Sequence, residues 1–135
     1  MTLRAAGRCA VTLATWGGMA HLAHQAAREA AIEYEKMVEV VVLSRLAPLD
    51  PAPLLASVRR TGALVVAEEG TLSAGVGAEI VARVQEEAFA ALRGPVKRVA
   101  ARDRVIPAAR HLEDAVLPQV EEILHACLAA AGAES

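Results

Sequence analysis

The segment 37–43, with the sequence MVEVVVL, constrains the fold more than any other stretch of the chain. Its residues are apolar except for Glu39, and valine dominates. A nearly continuous apolar run of this length is typical of a strand that is covered on both faces. Such strands occur in parallel sheets, whose crossover connections place helices over the sheet. The segment therefore predicts a strand inside a parallel sheet, and we expect it to be the central one.

Strand patterns and amphipathic helix patterns alternate along the whole chain. This alternation predicts a mostly parallel sheet with helices on both faces, in one domain over residues 1–135. Asp50 as N-cap, Pro51 in the first turn and Gly62 after the last turn mark one helix clearly. The other predicted elements are strands over 11–14, 63–67 and 96–100, a helix after residue 18, a loop over 68–76, a helix that Gly94 and Pro95 end, and a last helix that Pro118 opens.

The composition narrows the class of protein. Of the 135 residues, 55% are hydrophobic and 22% charged, which favours a globular domain. The net charge of -2 and the scattered basic residues argue against nucleic acid as a partner. Cys9 and Cys127 form no CxxC motif, and no apolar run approaches the roughly 20 residues that span a bilayer. We therefore expect a reduced, cytoplasmic protein without a membrane span.

Polar segments follow three of the predicted parallel strands. The carboxyl ends of such strands share one edge of the sheet, where ligands and partners tend to bind. This edge, called the carboxyl edge below, is the candidate functional site. The segments contain Thr15, Trp16, Gly17 and Gly18; Ser44 and Arg45; and Glu68, Glu69 and Gly70, with Gly75 and Gly77 close behind.

The glycine pair Gly17-Gly18 has two interpretations. Backbone N–H groups at the start of a helix can bind a phosphate. However, TWGG matches neither GxGxxG nor GxxxxGK[ST], and no acidic residue ends the second strand to bind a ribose. A tight turn that lets strand and helix pack closely is the favoured interpretation.

The titratable residues allow two further sites. His21 and His24 are spaced for one face of a helix, but two ligands without a third make a poor metal site, so a solvated face is favoured. Glu68 and Glu69 could act as acid and base if their pKa values were driven apart. Hydrogen bonding to the loop or to a neighbouring subunit is the favoured alternative. We expect Glu79 near the positive end of the helix that AGVGAEI begins.

At EEG (68–70) and AGVGAEI (74–80) the sequence closely resembles the C-terminal domain of the beta subunit of thiamine-diphosphate-dependent 2-oxo acid dehydrogenases. The pyruvate type is the most similar, and the domain belongs to the transketolase C-terminal superfamily. The resemblance covers nearly the whole chain. It continues in order through VTLATWGGMAHLA, APLD, SVRRTGALVVAEEG, Phe89, PVKRV, Pro107, LED at 112–114 and LPQVEEI.

The resemblance implies a three-layer α/β/α domain whose five-stranded sheet is mostly parallel and mixed, with one antiparallel strand. Residues 1–6 are the candidate for that strand. In this family the cofactor lies between two other domains, one for the diphosphate and Mg and one for the aminopyrimidine. We therefore expect no catalytic residue, cofactor or metal on this chain alone, and thiamine diphosphate and Mg in the assembled enzyme.

The same resemblance implies partners. These are subunits that carry the diphosphate-binding and pyrimidine-binding domains, with a lipoyl-bearing acyltransferase or an acyl carrier protein as a further candidate. A homodimer is left open. The residues expected at the partner interface and the edge of the active site are Thr15, Trp16, Gly17, Ser44, Arg45, Glu68, Glu69, Gly75, Gly77, Glu79, Pro107 and Glu113.

Two positions depart from the family pattern. The family usually has Arg where Ser44 stands, and because Arg45 comes one residue later, its guanidinium should point elsewhere. The PxPYA pattern becomes VIPAA at 105–109, which lacks one proline and the tyrosine. These changes put in doubt the contact that the family usually makes with the neighbouring domain.

Two hypotheses remain. The first is a separately encoded C-terminal piece of a split thiamine-diphosphate enzyme, because a near-complete domain begins at Met1 and lacks the cofactor ligands. The second is a freestanding interaction or small-ligand module that has lost the enzyme. A catalyst acting alone is disfavoured, since the chain lacks groups that bind and position a reacting centre. A domain built to pack on others should also expose an apolar patch on its carboxyl edge.

Overall fold

A computed structural model describes residues 2–3, 8–101 and 117–132. Pro107, Glu113 and the VIPAA segment lie outside the described residues. The predictions made for them therefore stay predictions.

In the part of the chain that the structure describes, the sheet has five strands, and their arrangement confirms the predicted fold class. The strand order is β1-β3-β2-β4-β5. Strands β2 to β5 are parallel to their neighbours, whereas β1 runs antiparallel to β3, with Thr2 opposite Val41. The antiparallel strand falls within residues 1–6, as the resemblance implied. The strands are β1 (Thr2–Leu3), β2 (Val11–Thr15), β3 (Val38–Val42), β4 (Leu64–Thr71) and β5 (Lys97–Ala101).

The valine-rich strand β3 is interior, but the prediction that it is central was wrong. It pairs with β1 on one side and β2 on the other. The middle strand is β2, which pairs with β3 and β4 and is buried along its whole length. After β3 the chain returns across β2 before it forms β4, and this reversal moves the middle of the sheet to β2. Apolar content indicates burial on both faces, but it carries no information about strand order.

Among the described residues, four helices cover the two faces of the sheet, which gives the predicted three layers. Helices α1 and α4 pack on one face, and α2 and α3 pack on the other. Within the described part of the chain, no helix combines the length and the apolar character that a bilayer crossing requires. The helices are α1 (Ala20–Tyr34), α2 (Ala52–Thr61), α3 (Val76–Ala88) and α4 (Val120–Ala131).

The two apolar cores follow from the alternation of side chains along the strands. In β2, Leu13 belongs to the core beneath α1 and α4, and Ala14 belongs to the core beneath α2 and α3. Ile123 is fully buried in the first core and Ile80 in the second. Burial of these aliphatic side chains from both sides is the main source of stability that the chain offers.

Helix boundaries differ from the sequence prediction by small amounts. Pro51 is the N-cap residue of α2, and Asp50 Oδ1 accepts a hydrogen bond from the Ala52 N–H at 3.1 Å. Gly62 ends α2 with φ of 76°, as predicted. Helix α3 ends earlier than expected, at Ala88, and a 3-10 turn over Phe89–Ala91 follows it. Helix α4 begins at Val120, after Pro118.

The predicted loop over 68–76 is only partly a loop, because β4 continues to Thr71. Ala67 pairs with Val99 and Thr71 pairs with Ala101, so β4 contains an irregularity between these two positions. The strand was predicted to end at Ala67 because Glu68, Glu69 and Gly70 break the apolar pattern. Irregularities of this kind are frequent next to functional sites.

Candidate functional site

The reversal of the chain at β2 gives the sheet a switch point between β2 and β4. In open α/β sheets, ligands and partners bind beyond the carboxyl ends of the strands at such a point. Trp16 and the glycine pair follow β2 there, and Glu68 and Glu69 lie near the end of β4. The structure therefore brings two of the three predicted polar segments directly together.

Thr15 joins the three central strands and is fully buried. Its Oγ1 donates a hydrogen bond to the carbonyl oxygen of Ala67 at 3.0 Å. Its own carbonyl oxygen accepts one from the Leu43 N–H at 2.8 Å. Because its polar groups are used inside the protein, Thr15 positions the carboxyl edge and offers no group to a ligand.

The glycine pair forms a tight turn into α1. Gly17 has φ of 60°, a left-handed conformation that favours glycine. Trp16 is half-buried and packs against the core beneath α2 and α3. A Cβ atom at Gly18 would lie 2.7 Å from Glu69 Oε1. Since a carboxylate already approaches the start of α1, a phosphate there would be repelled, and the tight-turn interpretation is favoured.

Glu68 is the buried charge of the carboxyl edge, with only 2% of its side chain exposed. Its Oε1 accepts hydrogen bonds from Arg98 Nη2 and from the Gly77 N–H, each at 3.0 Å. Gly77 lies in the first turn of α3, where unpaired N–H groups and the positive end of the helix dipole favour a negative charge. One carboxylate thus links β4, β5 and the start of α3.

Three glycines close around this carboxylate. A Cβ atom at Gly70, Gly75 or Gly77 would lie 3.0, 2.7 or 2.5 Å from an oxygen of Glu68. A side chain at any of these positions would displace the carboxylate or the loop. The GVG sequence therefore allows close approach to Glu68, and the motif needs no phosphate to explain it.

Glu68 and Glu69 lie in different surroundings. Glu68 points to Gly77 and Arg98, whereas Glu69 points to Gly18 at the start of α1. The two carboxylates therefore face different helices, and Glu68 is engaged in an ion pair. The geometry favours the alternative that Glu68 holds the loop.

Glu79 lies in the first turn of α3, as predicted, but faces solvent. Its Oε1 contacts Arg83 Nε at 3.1 Å, and both side chains are exposed. It therefore belongs to the surface of α3 and takes no part in the cluster around Glu68.

Ser44 and Arg45 are exposed at the carboxyl end of β3. With Asp50 and Pro53 they line a cavity of about 270 Å³ between β3 and the start of α2. The cavity offers a hydroxyl, a guanidinium and a carboxylate to a polar ligand or to a partner side chain. This pocket makes the third predicted segment part of the carboxyl edge.

The histidines of α1 do not form a metal site with other described side chains. His21 is exposed and His24 is half-buried. Residues 8–101 and 117–132 contain no group of three or more His, Cys, Asp or Glu side chains placed to bind a metal ion.

Two buried polar groups were missed by the sequence analysis. Glu39 is 1% exposed and forms an ion pair with Arg60 of α2. Beside it in the sheet, Thr12 Oγ1 lies 2.7 Å from both Ser57 Oγ and Thr61 Oγ1. These contacts hold α2 on the sheet. The single acidic residue within MVEVVVL was the available signal.

Sequence comparison identifies relatives of known class. Residues 2–123 match the family model described as transketolase, C-terminal domain. The chain is 47% identical over 113 residues to the pyruvate dehydrogenase E1 component subunit beta of Leifsonia xyli subsp. xyli, covering 84% of this chain and 33% of that protein. It is 41% identical over 114 residues to the 3-methyl-2-oxobutanoate dehydrogenase subunit beta of Mycobacterium tuberculosis, covering 84% and 32%. The chain spans about a third of the length of these relatives.

Comparison with solved structures agrees with this fold. A structure described as split gene transketolase, inactive beta4 tetramer, superposes with a TM-score of 0.79 and 26% identity, covering all of this chain and 42% of that one. The 2-oxoglutarate:ferredoxin oxidoreductase of Magnetococcus marinus has a TM-score of 0.64 at 14% identity, covering 97% of this chain and 19% of that one, and shows the fold alone. Since the family model matches most of the chain and the relatives are subunits of the same enzyme class, this protein belongs to the transketolase C-terminal domain family.

Proposed function

We propose that this chain is the C-terminal assembly domain of a split, thiamine-diphosphate-dependent enzyme that acts on a 2-oxo acid or a ketol donor. The observation that carries the proposal is the match of residues 2–123 to the transketolase C-terminal domain family. The structural neighbour described as a split gene transketolase supports the same arrangement. The whole of residues 1–135 acts as one domain in this proposal.

The described residues do not fit a thiamine diphosphate site of their own. Glu68 is closed in by glycines and paired with Arg98. The described part of the chain offers no cluster of three ligands for the divalent ion that accompanies a diphosphate. In this proposal the cofactor and Mg are held by partner chains.

The carboxyl edge is the proposed docking surface for those chains. Glu68 and its glycines fix the backbone of this edge. The polar and aromatic side chains that it exposes, partly or fully, are Trp16, Ser44, Arg45 and Glu69. Next to them Leu72 is 46% exposed and Val76 is 38% exposed. These two side chains supply the apolar patch that a docking surface requires. Pro107 and Glu113 remain predicted members of this surface.

The proposed partners are subunits with the diphosphate-binding and pyrimidine-binding domains. A lipoyl-bearing acyltransferase or an acyl carrier protein is the further partner that a dehydrogenase complex would require. All of these chains would meet in the cytoplasm.

Co-purification tests the docking surface directly. The tagged full chain is expressed with the products of neighbouring genes, and bound chains are identified by mass spectrometry. We expect a chain with the missing domains to co-purify, and Leu72→Asp to reduce its recovery at least tenfold. Ile32→Asp is the matched control, since Ile32 is 68% exposed on α1. Equal recovery with both variants, or recovery of no such chain with the unaltered protein, would contradict the proposal.

A freestanding module that binds a small polar ligand is the second candidate. The cavity lined by Ser44, Arg45 and Asp50 favours it, because it presents a hydroxyl, a guanidinium and a carboxylate together. Calorimetric titration of the isolated chain with pyruvate and with inorganic phosphate tests it. Saturable binding that Arg45→Met abolishes would favour this second function.

A further inference from the structure

The cavity between β3 and the start of α2, called the β3 cavity below, presents two opposite charges. Its volume is about 270 Å³, and its polar side chains are Ser44, Arg45 and Asp50. Pockets for drug-sized ligands measure about 300–1,000 Å³, so this cavity suits a smaller molecule. Such a molecule would meet a hydroxyl, a cation and an anion at the same time.

A turn places the two charges on either side of one opening. Leu46 and Leu49 form an isolated antiparallel bridge, which draws the two ends of the turn together. Arg45 comes directly before this turn, and Asp50 directly after it. Asp50 Oδ1 accepts a hydrogen bond from the Ala52 N–H at 3.1 Å, which holds the carboxylate at the start of α2.

The two charges of the β3 cavity are not neutralised inside the protein. Within the described part of the chain, neither Arg45 nor Asp50 takes part in an ion pair, whereas Arg60 and Arg98 each contact a buried glutamate. Both side chains of the cavity are exposed. The guanidinium donors of Arg45 and the second carboxylate oxygen of Asp50 therefore remain available to a ligand.

We propose that the β3 cavity binds a free α-amino acid with a small aliphatic side chain. The carboxylate of the amino acid accepts hydrogen bonds from the Arg45 guanidinium and the Ser44 hydroxyl, and its ammonium group donates to the Asp50 carboxylate. Val42 and Pro53, which also line the cavity, provide the apolar contact for the aliphatic side chain.

The pairing of opposite charges favours an amino acid over a simple ion. Arg45 attracts pyruvate or inorganic phosphate, but the neighbouring Asp50 repels them; an amine without a carboxylate meets the reverse situation. An α-amino acid carries both charges on one carbon atom, so that a single small molecule matches both side chains. L-alanine and pyruvate have the same carbon skeleton and differ in the ammonium group, which makes them the decisive pair of probes.

This inference rests on the second candidate function, for which it names the ligand class, and it does not require the enzyme assignment. The β3 cavity lies at the end of β3, whereas the exposed Leu72 and Val76 lie beyond the end of β4. Strand β2 separates β3 from β4, and two strand spacings amount to about 10 Å. Binding of an amino acid can therefore be measured on this chain alone, without a partner at the apolar patch.

Nuclear magnetic resonance titration of the isotope-labelled full chain tests the proposal, and it detects the weak binding expected of exposed side chains. L-alanine should cause saturable shifts of the Ser44, Arg45 and Ala52 amide signals, and pyruvate should bind at least tenfold more weakly. Arg45→Met and Asp50→Asn should each raise the Kd for L-alanine at least tenfold. Asparagine keeps the oxygen that accepts the Ala52 N–H, so α2 keeps its cap. Arg59→Met, an exposed arginine near the other end of α2, is the matched control and should leave the Kd unchanged.

Three results would overturn the proposal. Absence of saturable shifts with L-alanine would show that the cavity binds no amino acid. Equal affinity for L-alanine and pyruvate would show that only the carboxylate is recognised, which leaves the second candidate function standing with another ligand. An unchanged Kd in Arg45→Met and Asp50→Asn would place the binding elsewhere on the chain. The co-purification experiment has its own readout, so its failure would not alter the outcome of this titration.

Discussion

Arg98 Nη2 donates a hydrogen bond to Glu68 Oε1 at 3.0 Å, although the two residues are 30 positions apart in the sequence. The same oxygen accepts the Gly77 N–H, so a single buried carboxylate joins two strands and the start of a helix. Charge-assisted hydrogen bonds of this type are the strong ones in proteins. This contact holds β4, β5 and the start of α3 together at the carboxyl edge.

Glu68→Gln should therefore lower the free energy of unfolding by about 2 kcal/mol, because the partly buried Arg98 loses its counter-charge. Urea denaturation measures the effect. Glu69→Gln is the control: this side chain is exposed, and its change should stay within about 0.5 kcal/mol. Equal losses in the two variants would show that the ion pair contributes little.

Gly77→Ala should cost about 1–3 kcal/mol, because the added methyl would lie 2.5 Å from Glu68 Oε1 and 3.1 Å from Arg98 Nε. The cost should shrink in a Glu68→Ala background, where the carboxylate that it meets is absent. A double-mutant cycle by urea denaturation measures this coupling. If the effects of Gly77→Ala and Glu68→Ala on stability were additive, the glycine would not be needed to make room for Glu68.

The fold was largely predictable from the sequence, and the exceptions have physical causes. The valine-rich β3 and the buried β2 were found because burial on both faces leaves a continuous apolar run. The end of β4 was missed because Glu68 is charged, and its burial depends on Arg98, a partner on another strand. Strand order was missed for a similar reason, since no local pattern records which neighbour a strand acquires.

The location of the candidate site could be predicted from the sequence, but the arrangement of its side chains could not. Parallel strands bring their carboxyl ends together, so the edge followed from the order of elements. The opposite directions of Glu68 and Glu69 did not follow, because the strand was predicted to end at Ala67, whereas both residues belong to β4 and neighbouring side chains of a strand point to opposite faces. The reason for the glycines at 75 and 77 became visible only with the carboxylate between them.

Arg60→Met should destabilise the protein by roughly 1–2 kcal/mol, since it leaves the buried Glu39 without this counter-charge. The loss is smaller than for a fully buried pair because the Arg60 side chain is 42% exposed and water screens it. Arg59→Met is the neighbouring control. Arg59 donates to the Glu87 carbonyl oxygen on the surface, and its loss should cost less than about 0.5 kcal/mol. Thermal melts of both variants measure the two losses of stability, and equal losses would contradict the role given to Arg60.

Cys127 should make the protein less stable in alkali. Burial raises the pKa of its thiol from 9.0 to about 12. Between these values the unfolded chain has lost the proton and the folded chain keeps it, so stability falls as pH rises, by about 1.4 kcal/mol per pH unit. Cys127→Ala should remove that contribution from the stability profile measured between pH 9 and pH 11. An unchanged slope would contradict the buried, protonated thiol.

Thiol labelling provides an independent check of the same site. At pH 8 Cys127 should resist iodoacetamide in the folded protein because the reactive thiolate is suppressed. Cys9, which is half-buried, should react faster. Mass spectrometry after a timed exposure distinguishes the two, and denaturant should abolish the difference.

We propose that this chain is an assembly domain that acts only with partner chains. Turnover of pyruvate, with thiamine diphosphate, Mg and an artificial electron acceptor, tests it on this chain alone, on the partner chains alone and on their mixture. The account predicts no turnover by this chain and turnover by the mixture well above that of the partners alone. Equal turnover by the partners with and without this chain, or turnover by this chain alone, would contradict it.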